Sequence, residues 1–199
     1  MKKLSLILIS LFLIFKISFA SSYNSNPQLF VTELVNEAIN TLSDKSLSEE
    51  VKENFIKKVA LENVDIEALS LYTLGELRKS TAEDKLKIYQ KVFEGYFLKS
   101  LTSRLTEYSS NKFEVISAEV KSSNYTIVKS KIAAGDNKPE IKIDWRIYTK
   151  NQNKPLIRDL IVEGLSLART QKEEFTSILN SNDNDINILI LKLEEYIKK

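Results

Sequence analysis

The residue in this chain with the clearest potential for chemistry is Ser166, in the segment Gly164-Leu165-Ser166-Leu167-Ala168. This segment is close to the G-x-S-x-G turn that presents a serine nucleophile between a strand and a helix. Its last position is alanine, however, and the 199 residues include no histidine to accept the serine proton. The favoured interpretation is therefore a tight structural turn in which the Ser166 hydroxyl bonds to nearby backbone.

Two other spacings resemble functional motifs but lack essential parts of them. Ser109 and Lys112 match S-x-x-K without the companion motifs of that enzyme class. Asp183, Asp185 and Asn187 alternate like calcium ligands, but no glycine or bidentate glutamate follows in register, so helix capping explains them better. The chain also lacks cysteine, and with histidine absent the usual transition-metal ligands are missing. We therefore expect a protein that is not an enzyme, with no catalytic residue, no metal and no cofactor.

The N-terminus has the pattern of a secretory signal peptide. Lys2 and Lys3 precede an apolar run over residues 4–15, and Ser18-Phe19-Ala20 supplies small residues at a cleavage site. The run is too short to span a bilayer comfortably. We expect cleavage after Ala20, which leaves residues 21–199 as a single exported domain.

The charge balance argues against a nucleic-acid partner. Because Lys2, Lys3 and Lys16 lie in the signal peptide, the mature chain has 26 of the 29 basic residues against all 27 acidic ones. A net charge of −1 gives no basic footprint for nucleic acid. Without cysteine the mature protein can have neither disulfides nor a lipidated N-terminus, so we expect it to be soluble. We also expect it to be a monomer.

Apolar periodicity and capping signals predict helices at both ends of the mature chain. The longest segment has a broad apolar and aromatic stripe, which indicates a core-facing helix or the wall of a ligand cavity. Capping boxes are expected at Ser46 to Glu49, Ser80 to Glu83 and Thr170 to Glu173. Three of the predicted helices cover residues 27–42, 65–71 and 80–108. A further helix is predicted to begin at Ser46, another at Thr170, and the last one after residues 182–185.

Between these helices the pattern changes to the alternation of β-strands. Strands are predicted over residues 113–120, 125–132, 141–148 and 156–165, because these runs are rich in β-branched and aromatic side chains. In the third strand Ile141, Ile143, Trp145 and Ile147 share one face. Helices, then an antiparallel meander, then helices predict an α+β fold: N-terminal helices, a twisted antiparallel sheet of about four strands, and two C-terminal helices.

Several blocks of the chain, taken in order, form a pattern that covers about residues 27–199. The most specific block is Glu163-Gly164-Leu165-Ser166-Leu167 before an amphipathic helix. The weaker blocks are Leu74-Gly75, residues 80–85, Phe93, Phe97-Leu98, Tyr108, Asp144-Trp145-Arg146 and Asp159. Together these blocks resemble the MlaC family of periplasmic phospholipid-binding proteins, also described as ABC-transporter auxiliary and toluene-tolerance components.

The resemblance implies a soluble periplasmic carrier that moves phospholipid between an outer-membrane lipoprotein complex and the substrate-binding component of an inner-membrane ABC transporter, and so maintains outer-membrane lipid asymmetry. The acyl tails would lie in an apolar cavity that the sheet and the helices enclose, with phospholipid as cargo. Two residues, Leu74 and Leu77, are expected at its mouth. The expected lining is Phe93, Phe97, Leu101, Leu105, Val128, Ile141, Ile143, Trp145, Ile147, Ile161 and Leu165.

Three other interpretations remain open from the residues alone. An apolar helix stripe facing an apolar sheet describes an ordinary solid core as well as a ligand cavity. An exported chaperone or interaction protein that binds apolar peptide segments in a groove would have the same pattern. A serine hydrolase acting through Ser166 would be labelled by an active-site serine reagent.

Overall fold

The computed structural model describes residues 23–105, 112–134, 139–151 and 154–199. The predicted signal peptide and its cleavage site lie outside these residues. Within them the α+β prediction is confirmed, with six α-helices and one antiparallel sheet. The helices are α1 (Pro27–Ser43), α2 (Glu49–Asn63), α3 (Ile66–Leu74), α4 (Glu83–Leu105), α5 (Leu167–Asn180) and α6 (Ile186–Lys198), and a 3-10 helix covers Gly75–Lys79.

The sheet is an open meander in which each strand pairs with its neighbour in the chain. Its order is β1 (Phe113–Ser122), β2 (Tyr125–Ile132), β3 (Ile141–Asn151), β4 (Lys154–Val162) and β5 (Leu165–Ser166). The first four were predicted, although β4 ends before the turn at Glu163. The two-residue β5 was not predicted, and it forms the edge of the sheet beyond β4.

Capping residues explain where most helices begin. Asn26 caps α1 by accepting from the amides of Gln28 and Leu29, with Pro27 at the first helical position, as predicted. Asp65 and Asp185 cap α3 and α6. Gly75 ends α3 at φ +63°, a backbone conformation that side chains with a Cβ rarely adopt.

Three of the predicted caps are wrong. Ser80 ends the 3-10 helix and its Oγ donates to the Leu77 carbonyl at 3.3 Å, while α4 begins only at Glu83. Helix α2 is capped by Ser48, whose Oγ accepts from the Val51 amide at 3.3 Å, while Ser46 bonds to Asp44 instead. Helix α5 begins three residues before Thr170, with Ser166 as its N-cap. The Thr170 hydroxyl donates to the Ser166 carbonyl at 3.0 Å and so lies inside the first turn.

The buried residues form two clusters. The helical cluster joins α3, α4, α5 and α6; its buried members are Ile66, Leu74, Tyr89, Phe93, Phe175, Leu179, Ile186, Leu189, Ile190 and Leu193. The sheet cluster joins α1 to one face of the sheet; its buried members are Phe30, Val31, Leu34, Val128, Trp145, Ile147 and Ile157. The partly buried side chain of Val64 packs against both clusters.

A buried polar network fixes the centre of the helical cluster. The Tyr89 hydroxyl lies 3.0 Å from Thr73 Oγ1 and 3.3 Å from the Ser70 carbonyl, and all three residues are fully buried. Burial raises the pKa of Tyr89, so its hydroxyl stays neutral and hydrogen-bonded. These bonds satisfy the polar atoms that the apolar core would otherwise leave unpaired.

Candidate functional site

The apolar face of the sheet changes from closed to open along its strands. At one end Val128 and Ile147 are fully buried, because α1 packs its Phe30, Val31 and Leu34 side chains onto this region. Toward the start of β3, Ile143 and Ile141 keep part of their surface exposed. Within the described ranges, the helices therefore cover only part of this face.

We call the partly exposed end of this face the apolar floor. Its members come from four strands and are Phe113, Val115, Ile132, Ile141, Ile143, Leu160 and Val162. The strand register brings them together as direct cross-strand partners. Ile143 stands between Ser130 and Val162, and Ile132 pairs with both Phe113 and Ile141. Direct partners have side chains on the same face, so the floor is one continuous apolar surface.

Trp145 lies at the border between the closed end and the floor. It is 8% exposed, and its ring meets that of Phe113 edge-on with centroids 6.3 Å apart. Its Nε1 donates to Ser130 Oγ at 2.9 Å, and Ser130 donates in turn to the Ile143 carbonyl at 2.9 Å. The indole N–H of Trp145 and the hydroxyl of Ser130 are thus hydrogen-bonded within this face.

The opposite face of the sheet is charged. Lys131, which alternates with floor positions on β2, has its amine 3.5 Å from both Glu114 and Glu140. The carboxylates of Glu140 and Glu114 raise the pKa of the Lys131 amine, so it remains charged. The sheet therefore presents one wet face and one apolar face, as the alternation predicted.

A β-bulge at Arg158 decides which residues of β4 reach the floor. Ile157 pairs with Ile147 and Asp159 with Arg146, so Arg158 is left without a strand partner. Its guanidinium bonds to Asp65 at 2.9 Å and lies 3.5 Å from the centre of the Tyr148 ring. Beyond the bulge Leu160 and Val162 lie on the face of Trp145.

The same bulge places Ile161 on the other face, contrary to its predicted place in the lining. Ile161 pairs with Asp144 and with Ser166, and both belong to the polar side of the sheet. On that side the Asp159 carboxylate accepts from Ser166 Oγ at 2.6 Å and from the Ala168 amide at 3.0 Å. These bonds join the start of α5 to β4, so Ser166 has a structural role as N-cap.

The structure brings some of the predicted lining residues together and separates others. The sheet residues Val128, Ile141, Ile143, Trp145 and Ile147 share one face. Leu74 and Phe93 are buried in the helical cluster instead, with Leu77 and Phe97 packed against it. Leu101 is partly exposed on α4, and Leu165 is exposed at the sheet edge. The side chain of Leu105 lies outside the described ones.

The remaining floor residues were not among the predicted lining residues. Phe113, Val115 and Ile132 had a detectable signal, since they lie on predicted strands with apolar alternation. Leu160 and Val162 had none, because Leu160, Ile161 and Val162 are all apolar and the bulge sets their direction. An enclosed cavity above the floor remains a prediction.

Two surface clefts lie away from the floor. A cleft of about 540 Å³ between α3 and α5 is lined largely by polar side chains, including Arg169 and Lys172. A second, of about 400 Å³, lies between α2, α4 and α6 beside Gly95. Neither contains a predicted lining residue. None of the helices in the described ranges has the length and apolar character needed to cross a membrane.

Comparisons with known proteins point to one family. A family model described as MlaC protein matches residues 32–195. The fold superposes with a TM-score of 0.70 on the solved structure of a phospholipid-binding protein from Ralstonia solanacearum in complex with a phospholipid. The identity is 16%, and the match covers 86% of this chain and 96% of that chain, a likeness that shows the fold. A search of curated proteins finds no significant match.

Proposed function

The chain belongs to the MlaC protein family, and from this premise we propose that it is a phospholipid carrier of the periplasm. The observation that carries the proposal is the apolar floor, a continuous surface on four strands that the helices leave partly uncovered. An acyl chain laid along it would cover apolar side chains that now meet water. The complex of the Ralstonia solanacearum protein with a phospholipid supports the same class of ligand.

The energetics of carrying a lipid through water require such a surface. A diacyl phospholipid has roughly thirty methylenes, and each costs about 0.8 kcal/mol to expose to water, so about 24 kcal/mol opposes leaving a membrane unprotected. Only an extended apolar contact offsets a cost of this size. The floor and Trp145 form one side of that contact, and Leu101 and Leu105 on α4 are proposed for the other.

No catalytic step is needed for this function. Ser166 is bonded to the Asp159 carboxylate and to the Arg169 amide, so its hydroxyl is used in the fold. We propose that the carrier exchanges lipid with an outer-membrane lipoprotein complex and with an inner-membrane ABC transporter, and thereby contributes to outer-membrane lipid asymmetry. It needs no bound cofactor for this exchange.

The direct test is the content of the purified mature chain. Organic extraction followed by mass spectrometry is expected to yield phospholipid in an amount comparable to the protein. Protein that is free of lipid, and that also takes up none from vesicles, would contradict the proposal. Apolar peptides recovered in place of lipid would instead favour a peptide-binding chaperone.

A further inference from the structure

The apolar floor continues to the outer edge of the sheet. One cross-strand row runs through Val115, Ser130, Ile143 and Val162, and ends at Leu165 on β5. Leu165 is 59% exposed, whereas Ile143 and Val162 in the same row are partly buried. The described strands end at β5, so this end of the row faces solvent at Leu165.

The exposed position of Leu165 is fixed by bonds on both sides. Before it, Glu163 and Gly164 form a two-residue turn with φ of 49° and 82°. The Glu163 amide donates to the Lys142 carbonyl at 3.0 Å, and the Glu163 carboxylate accepts from the Lys142 amide. The turn is thereby tied to the first residues of β3.

After Leu165, the chain is fixed by hydrogen bonds to a buried carboxylate. Ser166 donates to Asp159, whose side chain is 4% exposed, and Ala168 donates to the same carboxylate. Leu165 therefore faces solvent from a hairpin that hydrogen bonds fix on both sides. A single exposed leucine is ordinary on a protein surface. What distinguishes this one is its direct continuity with Val162 and Ile143.

We propose that the β4–β5 edge is the passage through which an acyl chain reaches and leaves the apolar floor, with Leu165 as its rim contact. This inference rests on the proposed function. A chain crossing the edge would exchange water for Leu165 and then for Val162 and Ile143. Once the chain is fully inserted, the floor supplies most of its contact. Leu165 should therefore govern the rate of lipid exchange more than the amount of lipid bound.

The test compares Leu165→Ser with Leu191→Ser, because Leu191 is 52% exposed on the outer face of α6 and so matches Leu165 in type and exposure. The mature chain is mixed with donor vesicles of phosphatidylethanolamine and phosphatidylglycerol that contain pyrene-labelled phosphatidylglycerol, and with unlabelled acceptor vesicles. We expect Leu165→Ser to transfer the label about tenfold more slowly than the wild type. Leu191→Ser should transfer at the wild-type rate.

The possible outcomes distinguish a failure of the proposed passage from a failure of the proposed lipid-carrier function. Slow transfer by Leu165→Ser with a wild-type amount of bound lipid supports the passage. Wild-type transfer by Leu165→Ser overturns it, and so does a loss of bound lipid, which would make Leu165 part of the floor. A wild-type protein that neither binds nor transfers lipid contradicts the proposed function itself. If Leu165→Ser does not fold, Leu165→Gln is judged by the same criteria.

Discussion

Replacing Ile143 by glutamate is expected to lower the phospholipid content of the purified protein at least tenfold. Ile143 stands at the centre of the apolar floor, between Ser130 and Val162. An acyl chain on the floor would remove the new carboxylate from water, at a cost of several kcal/mol. A tenfold loss corresponds to only about 1.4 kcal/mol, so even part of that cost suffices.

The comparison for this variant is Ile88→Glu, on α4, where the side chain is 47% exposed and belongs to neither buried cluster. Lipid content is measured by extraction and mass spectrometry of protein whose circular dichroism matches the wild type. Val162→Glu, in the same row, is expected to behave like Ile143→Glu. If both floor variants carry as much lipid as Ile88→Glu, the floor is not the binding surface.

Replacing Phe93 by alanine is expected to lower the free energy of unfolding by about 3–5 kcal/mol. Phe93 is 1% exposed, and its ring centroid lies 6.0–6.3 Å from those of Tyr89, Tyr96, Phe97 and Phe175. Its removal leaves a cavity that these rings fill only in part. We expect the folded fraction to retain its lipid, because Phe93 belongs to the helical cluster.

Stability is measured by denaturant unfolding of lipid-free protein, since a ligand that binds the folded state adds its own stabilisation. Tyr72→Ala, at an aromatic position that is 42% exposed, should cost less than about 1 kcal/mol. A Phe93→Ala protein of normal stability that has lost its lipid would place Phe93 in the pocket instead.

The sequence was sufficient to predict the elements whose signals are local. Pro27 after Asn26, Asp65, Gly75 and Asp185 marked helix ends, and the structure uses them as caps. The alternation of Ile141 to Ile147 indicated which face of β3 is apolar, and the buried side chains of Trp145 and Ile147 lie on that face. Each of these signals depends on neighbours in the chain, so one sequence reveals it.

The predictions that were wrong depended on contacts between residues that are distant in the chain. The bulge at Arg158 decides which face of the sheet each later residue of β4 occupies. Arg158 donates a hydrogen bond to Asp65, more than ninety residues away. Ile161 was therefore assigned to the wrong face. Asp159 likewise accepts from Ser166 and Ala168, and this fixes the start of α5 before the capping box expected at Thr170. Periodicity does not detect such pairings.

The assignment of aromatic residues to pocket or core was also beyond the sequence. Phe93 and Trp145 lie on equally apolar stripes, and both were expected in the lining. The structure places one in the helical cluster and the other at the border of the floor. Which of the two apolar surfaces becomes fully buried depends on how α1 and the other helices cover the sheet. This is a property of the assembled fold.

The fluorescence of Trp145 offers the most direct test of the central claim, because it is the only tryptophan in the chain. The mature protein is loaded with phospholipid that has bromine atoms on its acyl chains, or with the same lipid without bromine. Bromine quenches tryptophan fluorescence at close range. We predict strong quenching by the brominated lipid alone, since acyl chains on the apolar floor would lie beside Trp145. Equal fluorescence in the two samples, with lipid bound in both, would contradict the account.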